Sequence, residues 1–204
     1  MTDIRVSPLT VSDAEALARL HREAFPDFFL STLGVPFLRQ FYAGFAADQS
    51  AVAFVAKDGS GRAIGAVVGT VEPDGYFSRL LRSRLIGFGL ASARAAARRP
   101  RAASRLIRAV AYRGSEAVPS EGALLSSICV SPSARGTGAG RLLLARWERD
   151  VADRGVGVAF LTTDTDANEE VNAFYRAAGW QLHDTFSTRE GRPMNRYTKH
   201  LRSP

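Results

Sequence analysis

The chain has 204 residues, 46% of them apolar, which is enough for one substantial core and too little for two ordinary domains. A lone cysteine, Cys129, excludes an internal disulfide and a cysteine-based zinc cluster, and MTDIRVSPLT with no apolar stretch of roughly 18 to 20 residues indicates neither leader nor bilayer span, so a cytoplasmic location is expected. The net charge of +7 is uneven: residues 76–113 hold ten arginines and no carboxylate, which leaves the remainder at −3.

In chain order, IRVSPL reads as a short strand. Thr10 with Asp13, or Ser12 with Glu15, has the spacing of a capping box ahead of Ala16, Leu17, Leu20 and Ala24, and Pro26 stops that helix. Leu33, Phe37, Leu38, Phe41, Tyr42 and Phe45 recur at helical steps and predict a second helix over Ser31 to Ala46. AVAFVAK and AIGAVVGTVE flank Asp58, Gly59, Ser60 and Gly61, the punctuation of a hairpin.

Residues 76–113 read as a basic helical insertion, split by Pro100. Ala123 to Val130 is the next strand, with Cys129 a small core residue. A glycine-rich loop follows, then a helix with Leu143, Trp147 and Val151 on one face. GVAFLTT is a buried strand. Asp166 with Glu169 is expected to cap a helix carrying Val171, Phe174 and Tyr175, ended by Gly179. WQLHDTF and MNRYTKHL close the chain as strands, so the alternation predicts one mixed α/β domain over residues 1–204.

The loop Arg135-Gly136-Thr137-Gly138-Ala139-Gly140 lies between an apolar strand and an amphipathic helix, where glycines let backbone N–H groups approach an anion. A tight structural turn uses the same residues. The loop is not a P-loop, since no Gly-Lys-Ser/Thr follows, and it lacks the third glycine of the dinucleotide fingerprint.

RGTGAG after ICVSPSA resembles the Arg/Gln-x-x-Gly-x-Gly/Ala signature of the GNAT acetyltransferase superfamily. Asn168, Val171, Phe174, Tyr175, Gly179 and Trp180 resemble its downstream Asn-x-x-Ala-x-x-Phe-Tyr-x-x-x-Gly-Phe pattern. The resemblance implies a single mixed, largely antiparallel sheet flanked by helices, with residues 76–113 departing from the family's usual short connection. It implies acetyl-CoA as co-substrate and no metal. The backbone of Ile128, Cys129 and Val130 would pair with the pantetheine arm, and Arg135, Gly136, Thr137, Gly138, Ala139 and Gly140 would hold the pyrophosphate, with Arg141 adding charge. Asn168 would hydrogen-bond the coenzyme, or serve only local capping. Tyr175 would be the general acid, or a packed aromatic.

No carboxylate lies within the central strand, so Glu72, Glu121 and Asp164 at strand ends are the nearby base candidates. His21 at the end of the first helix could face the acceptor site with Phe25 and Phe28, but a lone histidine on a mostly apolar helix face is usually structural, and no catalytic role is assigned to it. The function expected is acetyl transfer to a primary amine, such as that of a nucleotide- or lipid-linked amino sugar, with the arginines of residues 76–113 bordering the acceptor entrance. The alternatives are a basic module binding nucleic acid or a membrane surface, and a non-catalytic acetyl-CoA sensor.

Overall fold

The computed structural model describes residues 3–26, 28–84, 87–88, 121–188 and 191–201. Seven strands, β1 (Arg5–Pro8), β2 (Ala51–Lys57), β3 (Ala63–Thr70), β4 (Ala123–Val130), β5 (Val158–Asp164), β6 (Gln181–Ser187) and β7 (Pro193–His200), form one sheet of order β1-β2-β3-β4-β5-β7-β6. Every neighbouring pair is antiparallel except β4 with β5. This is the mixed, largely antiparallel α/β sheet expected. No helix among the described residues is long and apolar enough to cross a membrane.

Alternation along the strands divides the core in two. Val55, Ala66, Val68 and Cys129 face helices α1 (Ala14–Ala24) and α3 (Val35–Ala47), whereas Val67, Leu125, Ala159 and Leu161 face α5 (Ala139–Asp153) and α6 (Glu169–Ala177). Leu143, Trp147 and Val151 form the buried stripe of α5, each contributing about 1.5 to 3 kcal/mol by leaving water. The Trp147 indole N–H donates to the Val52 carbonyl at 3.1 Å. A Cβ on Gly69 would stand 2.7 Å from the Trp147 ring and 2.3 Å from the Leu124 carbonyl oxygen, so any larger residue there would push α5 off the sheet.

Three local expectations need correction. The predicted helix over Ser31 to Ala46 is two, α2 (Phe29–Thr32) and α3, because Gly34 takes φ +86° and Pro36 follows inside the first turn of α3. The Thr10 and Asp13 box exists, with the Thr10 N–H and hydroxyl both donating to Asp13 at 3.0 and 2.6 Å, but it starts a 3-10 turn, Val11–Asp13, ahead of α1. Asp166 does not cap α6; that helix begins at Glu169 after Asn168.

Of the basic segment, α4 (Tyr76–Ser83) is described and packs on α3. The Tyr76 ring lies 4.9 Å from that of Phe45. Arg79 donates to the carbonyls of Glu72 and Asp74 at 3.0 and 2.6 Å, and Arg84 to the Gln40 side chain at 3.1 Å. Both arginines therefore tie α4 to its surroundings. The rest of the expected insertion, residues 85–86 and 89–113, lies outside the described residues.

Candidate active site between diverging strands

β4 and β5 pair only at Ala123 with Ala159 and Leu124 with Phe160. Beyond that point they diverge, while β5 continues beside β7 to the pair Asp164 and Met194. The bend has a local cause in β4: Val68 pairs with Ser127 and Gly69 with Leu125, so Ser126 is an extra, bulged residue. The Ser131 N–H donates to the Ile64 carbonyl at 2.8 Å. Backbone groups alternate sides along a strand, so those of Val130 and Ile128 face the gap and those of Cys129 face β3.

At the open end of the gap stands the glycine loop. Gly136 and Gly138 have φ +77° and +88°, and a Cβ on either would meet none of the described residues within 4 Å. The Arg135 and Thr137 N–H groups turn back to the Pro132 and Ala134 carbonyls, both at 3.4 Å. In α5 the Leu142 N–H is the first to reach back, to the Gly138 carbonyl at 3.1 Å. The N–H groups of Ala139, Gly140 and Arg141 thus have no acceptor in the helix and carry its positive end. Arg141 is exposed. The Arg135 guanidinium instead reaches the Ala24 carbonyl at 3.4 Å and ties the loop to α1.

α6 crosses beside this loop, with the Phe174 ring 3.6 Å from where a Gly140 Cβ would stand. Tyr175 is buried against Phe174, Trp180 and Tyr197. Burial raises its pKa above the ordinary phenol value, so at neutral pH it carries its proton and is no base. The Asn168 amide donates to the Thr163 hydroxyl at 2.8 Å and the Asp164 carbonyl at 3.0 Å. Its amide donors are spent on β5, which leaves the amide oxygen for a ligand.

Two polar constellations escaped sequence reading. Asn172 donates to the Asp164 and Asn168 carbonyls and accepts from Asn195 and the Tyr197 hydroxyl, both at 3.0 Å, which locks α6 onto β5 and β7. The four-residue step from Asn168 to Asn172 was its visible trace. On the other face, Tyr42 Oη lies 2.8 Å from His21 Nδ1 and 3.4 Å from Cys129 Sγ. Those partners are far apart in sequence, and no pattern announces them.

The base candidates fare unequally. Thr70 pairs with Leu124 where the gap is closed, so Glu72 and Glu121 stand at the wrong end, and Glu72 faces Arg79 at 3.6 Å. Asp164 is at the open end but is held by both arms of the Arg192 guanidinium. Burial pushes His21 down to about 4, so it is neutral at physiological pH. A cleft of about 190 Å³ lined by Phe45, Phe54, Arg146 and Asp150 lies near β1 and β2, remote from the gap.

The profile of the Acetyltransferase (GNAT) family matches residues 14–180. A search of curated protein sequences finds no match. Among solved structures, the chain is similar to the ribosomal-protein-S18-alanine N-acetyltransferase of Escherichia coli (14% identity, 99% of this chain and 96% of that one, TM-score 0.60). It is similar to the polyamine N-acetyltransferase of Drosophila melanogaster (16%, 98% and 100%, 0.60). A third likeness is to the PaiA N-acetyltransferase of Thermoplasma acidophilum in complex with coenzyme A (13%, 95% and 98%, 0.58).

Proposed function

The chain belongs to the GNAT acetyltransferase family, and on that premise we propose that it transfers acetyl from acetyl-CoA to a primary amine within the gap between β4 and β5. The observation that carries this reading is the set of free N–H groups at the start of α5, placed at the open end of two strands that part after two residue pairs. Acetyl-CoA supplies an activated acetyl group, which an uncharged amine attacks at the carbonyl carbon as the carbon–sulfur bond breaks.

The residues present suit that ligand. The Ala139, Gly140 and Arg141 N–H groups receive the pyrophosphate, and the gap-facing backbone of Ile128 and Val130 pairs with the pantetheine amides as a substitute strand. The Val130 N–H faces the gap beyond the bulge of β4, where it is suited to donate to the carbonyl oxygen as negative charge develops there. The Asn168 amide oxygen accepts from a coenzyme N–H. Tyr175 holds the proton that the departing sulfur needs. No free carboxylate among the base candidates serves the open end, so the amine gives up its proton to water, before or during attack.

The acceptor is proposed to be a primary amine. The arginines of residues 76–113 other than Arg79 and Arg84, which are engaged within the fold, support a phosphate-bearing one such as a nucleotide- or lipid-linked amino sugar. The lone cysteine suits a reducing cytoplasm. Incubation with labelled acetyl-CoA and a panel of peptide N-termini, polyamines and amino sugars is expected to release coenzyme A thiol and label the amine. Binding of acetyl-CoA with no amine-dependent release would instead make the protein a sensor.

A further inference from the structure

On the α1/α3 face, a continuous run of contacts bridges the diverging strands. From β4, Cys129 Sγ reaches Tyr42 Oη, which reaches His21 Nδ1. The His21 ring lies 5.2 Å from that of Phe25 and 6.4 Å from that of Phe28. The Arg192 guanidinium stacks over Phe28 at 5.8 Å and pairs with Asp164 at the end of β5. His21 is at the middle of this bridge and is 1% exposed. Among the described residues its buried Nε2 has no hydrogen-bond partner.

The neighbours of Tyr42 decide which proton sits where. The hydroxyl has one proton and two partners, and an imidazole nitrogen is a far stronger acceptor than a thiol sulfur. Tyr42 therefore donates to Nδ1. Burial keeps Cys129 a thiol, and its S–H turns to Tyr42 Oη. The remaining His21 proton is then on Nε2, which is a donor and not a base.

A buried donor without an acceptor costs free energy that a ligand oxygen recovers. The ring that carries it packs against those of Phe25 and Phe28, and the contact from the far wall is a cation–π stack on a partly exposed ion pair, a weak restraint. We propose that the His21 Nε2–H is a substrate-positioning group: it hydrogen-bonds an oxygen beside the acceptor's amine, and is uncovered when the Phe25 and Phe28 corner yields to that acceptor. This rests on the acetyltransferase reading and deepens it, naming an amine that bears a neighbouring hydroxyl or carbonyl rather than a bare alkylamine.

Two measurements test it on the full chain. Nitrogen-15 spectra of the three histidines, with His21 assigned by His21→Gln, are expected to show His21 protonated on Nε2 and not on Nδ1 from pH 5 to 8. The opposite tautomer overturns the proposal. In acetylation assays wild type should favour glucosamine over cyclohexylamine by about tenfold in kcat/KM, the worth of one such hydrogen bond. His21→Phe should erase that preference, and His21→Gln, which keeps a donor at similar reach, should retain most of it. An unchanged preference in His21→Phe, or an equal loss for both amines with normal acetyl-CoA binding by calorimetry, sinks the proposal. A wild-type protein that binds no acetyl-CoA would overturn instead the reading on which it rests.

Discussion

On the α5/α6 side of the gap the unspent polar groups of the loop are backbone N–H groups at a helix start, whereas on the α1/α3 side the polar groups are side chains drawn from α1, α3, β4 and the β6–β7 connection, engaged with one another except at His21 Nε2. Backbone donors need only a strand, two glycines with positive φ and a helix, all consecutive in sequence. Side-chain chains such as His21, Tyr42 and Cys129 exist only because the sheet carries β4 beneath two helices that come more than eighty residues earlier. The first arrangement suits a ligand part shared by many enzymes, and the second a part that differs among them.

The sharpest way to break this contrast is to spoil the backbone side alone. Gly138→Asp with Gly140→Asp puts two carboxylates at the helix start and forces a side chain onto φ +88° at position 138. We expect acetyl-CoA affinity by calorimetry to fall about a thousandfold, since charge-assisted hydrogen bonds to the pyrophosphate are lost and repulsion is added. Equal binding by the double mutant would end the anion-cradle reading.

Next in size is an acid effect on the other side. Burial holds His21 near 4, against 6.5 for the free side chain. Between those values the unfolded chain binds a proton that the fold refuses, so this contribution to stability is full above about pH 6.5 and is lost as pH falls toward 4. The loss is at most about 3 kcal/mol. Urea unfolding of wild type and His21→Gln should differ in slope over that window, and matching pH profiles would mean that His21 is protonated in the fold.

Tyr175→Phe keeps the ring contacts with Phe174, Trp180 and Tyr197 and removes the proton donor. Turnover should drop roughly ten- to a hundredfold, with acetyl-CoA affinity within about twofold. Turnover equal to wild type, with chemistry rate-limiting, would return Tyr175 to packing. The smallest effect is expected at Glu148, which accepts from the Trp180 indole at 2.7 Å and from Lys199 at 2.6 Å. Glu148→Gln should cost about 1 kcal/mol in urea unfolding and leave coenzyme binding unchanged, because this clamp joins α5 to the sheet behind the gap.

What the sequence determined by itself was whatever is encoded within a dozen consecutive residues. The order of strands and helices, the RGTGAG loop and the family pattern from Asn168 to Trp180 were legible, because periodicity and glycine placement act locally. Helix starts were less so: Gly34 split one predicted helix and Asn168 displaced Asp166, since turn geometry overrode a continuous apolar pattern. Only the tertiary structure decided that Ser126 is bulged and that β4 leaves β5 after two pairs. It also turned Cys129 away from the gap while Val130 faces it, and occupied Asp164 with Arg192. Each of these depends on pairing between residues distant in the chain, where register and packing, rather than local preference, set which atoms meet.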